Sequence, residues 1–374
     1  MDLTLTDEQA ALTEELRRVA QRQIRPAARA CEQAGGVSGK IRSALADLGV
    51  AGVPEEFGGQ GSLDVVTGVL LAEELAWGDP GVAYDVLSST AAAWLIGQAG
   101  AADQRAALLP GVAAGRCAVA LAEREGADLF ALSTDVAEAG DRAALTGTKY
   151  AVAGFDRASS VLVVAGGPGG PSVWAVPAGA LPAGASTHEE KLGLRSAATW
   201  RLRLDGVEVD TARSCLGGSP EEALRALLAA KLLTASINVG LARAAVEYAS
   251  GYARERTAFG RPIGAFQGVS FMIAERAIGV DAARLLVWEA AAALDAGTAT
   301  GDASRLVTAA CGQAVTAAAG ASDDAVQVLG GHGYMRDHPV ELWYRDAMTL
   351  ATLDAPWLLC DLFLGSVPAA GGRP

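Results

Sequence analysis

The chain holds only three histidines, His188, His332 and His338, at spacings that offer no metal-ligand set. Its five cysteines, Cys31, Cys117, Cys215, Cys311 and Cys360, are scattered, odd in number and without a Cys-x-x-Cys pair. That pattern argues against a disulfide frame or a zinc site and fits reduced, mostly buried thiols in a cytoplasmic protein. Basic side chains are in deficit as well. The 30 Lys and Arg against 43 Asp and Glu leave a net charge of −13, which argues against nucleic acid as a partner because phosphate binding needs a basic face. No run of about 18 uncharged apolar residues occurs, so no membrane span is expected. The opening residues, Met1 to Gln9, are acidic where a signal peptide would be basic. No nucleophile-elbow pattern supports a Ser-His-Asp hydrolase.

What is present points to a folded chain. Hydrophobic content is 51% and charged content 20%, which excludes wholesale disorder. The 374 residues suffice for two or three substructures with a substantial core. Residues 1–115 read as helical. Thr6 precedes Asp7-Glu8-Gln9 as a capped start, and apolar residues recur through Leu12, Leu16, Val19 and Ile24. Pro26, Gly35-Gly36, Gly49, Pro54, Gly58-Gly59 and Pro80-Gly81 punctuate further helices. Over 116–212 the period changes: 117–122, 144–152, 161–165, 173–176 and 201–204 are short, partly alternating runs that read as antiparallel β. Ser219-Pro220-Glu221-Glu222 is a strong helix start, and helices to about 256, 265–296, 302–329 and 339–363 make a four-helix bundle over 213–374.

Two segments carry possible chemistry. In Gln327-Val328-Leu329-Gly330-Gly331-His332-Gly333, adjacent glycines after a helical apolar run let a large ligand approach the backbone. A bare Gly-Gly break also reads as a simple turn. Around the end of the first bundle helix stands Arg256-Thr257-Ala258-Phe259-Gly260-Arg261-Pro262-Ile263, followed by Gln267. A guanidinium beside exposed backbone suits a pyrophosphate, although the same string reads as a helix C-cap.

With Tyr344-Arg345-Asp346-Ala347 after Pro339, the first string closely resembles the C-terminal signature of the acyl-CoA dehydrogenase family. The second resembles that family's other cofactor segment, with Ala258 where a Gln is usual. Val53 to Gly61 with Glu73-Glu74-Leu75-Ala76, and Glu190 to Ser196 with Thr199, are weaker matches, so the resemblance runs from about Leu3 to Asp361. It implies a mainly α fold with a helical domain at 1–115, a small antiparallel β domain at 116–212 and the bundle. It further implies non-covalent FAD, held across a subunit interface of a homo-oligomer, dimer or tetramer. The ADP half would meet Arg256, Phe259, Gln267, Gln327, Gly330 and Gly331, and the ring would meet strand backbone at Leu121, Ala122, Val152 and Ala153. The substrate would be an acyl thioester, of CoA or a carrier protein, beside Asp128 and Leu353, with an acceptor flavoprotein or O₂ taking the electrons.

Departures from the family pattern are concentrated at the ring. The run Ala120 to Asp128 keeps Glu123, Gly126 and Asp128 but lacks the usual hydroxyls. In Lys149-Tyr150-Ala151-Val152-Ala153-Gly154 no hydroxyl faces flavin N5 and no stacking ring stands at Ala151. Asp354 occupies the place of the usual Glu base. It is one methylene shorter, and it also reads as a cap to a helix around Pro356. The family's alternative base position is Ala230, next to Lys231. Three readings follow: α,β-dehydrogenation of an acyl thioester with Asp354 as base, a flavin oxidase or monooxygenase on the same fold, or a half-active subunit paired with a paralogue.

Overall fold

A computed structural model describes residues 4–120, 133–167 and 170–353. The helices of the N-terminal part are α1 (Asp7–Val19), α2 (Arg25–Ala34), α3 (Gly39–Asp47), α4 (Val65–Gly78), α5 (Pro80–Ala99) and α6 (Ala102–Ala113). Thr6 caps α1 through a full capping box with Gln9. Pro26 does not interrupt the chain there: a π-helical stretch, Ala20–Ile24, carries α1 directly into α2. Pro26 sits in the first turn of α2, where its missing N–H matters least.

The β region contains β1 (Cys117–Ala120), β2 (Asp135–Ala139), β3 (Arg142–Ala153), β4 (Ser160–Gly167), β5 (Gly170–Pro177), β6 (Ser186–His188) and β7 (Thr199–Asp210). They form two sheets, ordered β1-β4-β5 and β2-β3-β7-β6. The unit is antiparallel as expected, with one exception: β1 pairs with β4 in parallel. Strands β2 and β6 carry no clear alternation and were not foreseen. Strand β4 reads as a continuous apolar run because it is buried on both sides. Val161, Val163 and Ala165 enter the core between the sheets, while Leu162 and Val164 enter the helical core.

The chain continues through a short helix, α7 (Thr211–Ser214), to α8 (Pro220–Glu255), α9 (Gln267–Asp295), α10 (Thr300–Leu329) and α11 (Val340–Leu353). A two-stranded hairpin, β8 (Thr257–Ala258) and β9 (Arg261–Pro262), separates α8 from α9. Ser219 and Glu222 close a capping box at the start of α8, with Pro220 at its first position. Helices α4 and α5 pack on α8, so one hydrophobic core runs through the N-terminal helices and the bundle.

Candidate active site and cofactor surface

At one end of the bundle, α8 finishes with Arg256 as its C-cap, and the hairpin turns through Phe259 (φ 54°) and Gly260 (φ 81°). That left-handed pair projects Phe259, which is 95% exposed. The segment entering α9 folds back on this helix end, with Ile263 N donating to the Arg256 carbonyl at 2.8 Å. Gln267 then opens α9. Helix α10 ends at Gly330 (φ 58°, ψ −130°), a conformation closed to ordinary L-residues. A Cβ on Gly331 would meet nothing within 4 Å, so no neighbour among the described residues requires glycine there. Arg256, Phe259, Gln267, Gln327, Gly330 and Gly331 are all exposed. The Tyr252 hydroxyl, one turn before Arg256, lies 2.7 Å from His332 Nδ1 and so ties the end of α8 to the glycine loop. Exposed guanidinium, amide side chains and bare glycine backbone form a surface suited to a dinucleotide's phosphates and edges.

The other part of the site is built on β3. Between Lys149 and Val152 its register against β7 shifts by a bulge, and Ala151 takes the left-handed region at φ 55°. Both backbone groups of Ala151 are held: its N–H donates to Glu189 Oε2 at 3.0 Å, and its carbonyl accepts from the Tyr84 hydroxyl at 3.1 Å. Val152 points into the core between the sheets, and Ala153 does not. Ala151 is the shared wall of two cavities. One, of about 890 Å³, reaches from Tyr150 and Arg201 to Thr352 and Leu353 on α11. The other, of about 50 Å³, is lined by Ala151 and Ala153 on one side and by α5 and α8 on the other, including Leu87, Ala230 and Leu233. Ala230 therefore does line a cavity, but it supplies no acid.

Helix α11 is set against the β region by the turn 190–196. Gly193 N donates to Thr349 Oγ1 at 2.9 Å and Leu194 N to Asp346 Oδ1 at 2.6 Å. Asp79, capping α5, accepts from Ser196 Oγ at 2.6 Å and from Val82 N at 2.7 Å. Burial, then the nearby Asp79 carboxylate, pushes the Asp346 carboxyl well above the carboxylate range. Burial pushes Asp79 up too, against its hydrogen bonds from Ser196 and backbone. Lys191 in the larger cavity donates to the Ala197 carbonyl and Thr199 Oγ1, and burial lowers it to about 8 against the pull of Glu189 and Asp346.

Among the sequence-derived site residues, Leu353 lines the larger cavity and Ala153 the smaller. Leu121, Ala122, Asp128 and Asp354 lie outside the described residues. Sequence reasoning missed Tyr84, Glu189 and the Tyr252–His332 link. Each acts through a partner at least 38 residues away, which no local pattern signals.

Comparison with known proteins agrees with this geometry. The chain matches the acyl-CoA dehydrogenase N-terminal domain over residues 6–116 and the acyl-CoA dehydrogenase C-terminal domain over 221–354. An acyl-CoA dehydrogenase of Bacillus subtilis is 33% identical over 92% of this chain and 93% of its own length. A short-chain-specific acyl-CoA dehydrogenase of Clostridium acetobutylicum is 30% identical, covering 93% of this chain and 94% of its own. The solved butyryl-CoA dehydrogenase from Megasphaera elsdenii superposes with a TM-score of 0.85 at 26% identity, covering 98% of this chain and 99% of that one. On these matches the chain belongs to the acyl-CoA dehydrogenase family of flavin oxidoreductases.

Proposed function

We propose that the chain is an FAD-dependent acyl-thioester dehydrogenase in which Asp354 is the base. The observation that carries this reading is the shared wall at Ala151: a large cavity running to Leu353, directly before Asp354, and a small one lined mainly by alanine, leucine and isoleucine with Tyr84, Ser88 and Thr234. Arg256, Phe259, Gln267, Gln327, Gly330 and Gly331 would hold the ADP half of FAD, and backbone at Leu121, Ala122, Val152 and Ala153 its ring. Bound FAD would supply the two-electron acceptor for the β hydride. Asp354 would take the proton α to the thioester carbonyl, and the apolar sequence around it suits a carboxylate to that work. Leu353 and Asp128 would flank the substrate. The small cavity carries no charged side chain among its described lining residues, which favours a short, uncharged acyl group.

The exposed cofactor surface fits a site completed by a second copy of the chain. Helix α9 offers a face for such a copy: Phe271, Ile278 and Leu285, seven residues apart, are 65%, 71% and 50% exposed. A homotetramer or dimer passing electrons to a flavoprotein acceptor is the assembly this favours. A second reading, a flavin oxidase or monooxygenase, is favoured by alanine at 151 and 153, where no hydroxyl can serve the ring. The deciding experiment is the visible spectrum of the purified oligomer with and without a panel of acyl-CoAs. Anaerobic bleaching near 450 nm with slow reoxidation in air supports the dehydrogenase. Rapid reoxidation by O₂ supports the oxidase, and protein that takes up no FAD overturns both.

A further inference from the structure

Two tyrosine–histidine pairs stand behind the glycine loop. Tyr252 OH lies 2.7 Å from His332 Nδ1, and Tyr248 OH lies 2.7 Å from His338 Nδ1. The two imidazoles are stacked on each other, with centroids 5.5 Å apart and planes 26° apart. The tyrosines come from successive turns of α8, and the histidines flank the turn that joins the glycine loop to α11. Tyr252 also meets the His338 ring edge-on at 5.8 Å, and Tyr248 meets Trp343 at 5.7 Å, so the four rings form one packed unit. Nothing in the chemistry proposed for the larger cavity uses them.

We infer that these four side chains are a clasp that positions the Gly330–Gly331 loop against the Arg256 end of α8, and so sets the spacing of the surface that receives the dinucleotide. The inference rests on the FAD reading above. His332 follows Gly331 directly, and Tyr252 lies one turn before Arg256, so the Tyr252–His332 bond bridges the two segments by the shortest route. The stack of the two imidazoles couples the second pair to the first, so the Tyr248–His338 bond braces the loop from the α11 side.

Side chains from three helices surround the four rings. From α2, the Arg29 guanidinium donates to the Arg336 and His338 carbonyls, and Arg25 lies over the Trp343 ring. From α11, Glu341 is paired with Arg29 and Arg345. From α8 the facing groups are Tyr248, Tyr252 and the more distant Glu255, and burial keeps Tyr248 protonated. The loop itself adds the exposed Arg336 and Asp337. The clasp is therefore anchored to α2 and α11 as well as to α8.

The test measures FAD affinity by flavin fluorescence on the full-length protein stripped of flavin. Beside the wild type stand Tyr252→Phe, which removes the bond, and His332→Asn, whose side-chain oxygen can still accept from Tyr252. Tyr252→Phe should bind about three- to tenfold more weakly, as loss of one hydrogen bond predicts. His332→Asn, which keeps an acceptor, should bind within about threefold of the wild type. Unfolding of the flavin-free variants, followed in parallel, separates positioning from general damage. An unchanged Tyr252→Phe, a His332→Asn as weak as Tyr252→Phe, or affinity falling only in step with stability would overturn the clasp. A wild type that takes up no FAD would instead overturn the reading on which it rests.

Discussion

Gly331 and Gly333 stand in the same loop and are glycine for different reasons. A Cβ at Gly333 would drive into the Val326 carbonyl oxygen, whereas one at Gly331 would enter open space. Gly333→Ala should therefore destabilise the flavin-free protein by about 1–3 kcal/mol through overpacking. Gly331→Val should change its stability by less than about 1 kcal/mol while sharply reducing FAD uptake. Thermal unfolding and flavin titration on the same samples read both outcomes, and equal stability losses would remove the case for a ligand-facing Gly331. At Asp354, replacement by Asn should slow substrate reduction of the flavin at least about 10²-fold with flavin content unchanged. Stopped-flow bleaching measures this, and a full-rate variant would return Asp354 to a helix-capping role. At Asp346 the carboxyl is raised in the folded state, so the folded protein holds more protons than the unfolded chain above pH ~4. Stability contributed here is greatest at low pH and falls as pH rises through that range. Asp346→Asn keeps the acceptor for Leu194 N and should flatten that fall, as denaturant melts from pH 4 upward will show.

At the scale of elements, β3 matters through its bulge. The turn of backbone at Ala151 is stabilised from both sides, by Glu189 on the approach to the turn 190–196 and by Tyr84 on α5. Glu189 also accepts from Thr199 Oγ1 at 2.9 Å, so one carboxylate ties the bulge to β7. Glu189→Ala leaves a partly buried N–H unsatisfied and should cost about 1–3 kcal/mol in stability. It should also shift the visible spectrum of bound flavin, because the wall between the two cavities loosens. A variant with wild-type stability and spectrum would show that the bulge does not depend on that carboxylate. The apolar run of β4 and the capping box of α8 could be read from the chain because both signals lie within a few residues. The bulge could not, since it is defined only against β7.

At the scale of the whole molecule, the N-terminal helices are bound to the bundle by a buried ion network. Glu73 and Glu74 on α4 meet Arg243 on α8, Arg284 on α9 and Arg17 on α1. On α9 the exposed Phe271, Ile278 and Leu285 form an apolar stripe. That stripe suits contact with another copy. Ile278→Glu, placed at its centre, should reduce the assembly to a smaller species by mass photometry without unfolding the subunit. An unchanged assembly would move the interface elsewhere.

The sequence alone determined where helices start, which region is β, which loop is bare of side chains and which family's motifs the chain carries. These are local properties, set by caps, periodicity and glycine within a few residues of one another. Only tertiary structure decided that β1 runs parallel to β4, that Ala151 divides two cavities, and that Asp79 and Asp346 share a buried setting. The same holds for the pairing of Tyr252 with His332, 80 residues away. Each of these depends on a partner brought close by folding, and burial, charge coupling and hydrogen bonding act through space without regard to order along the chain.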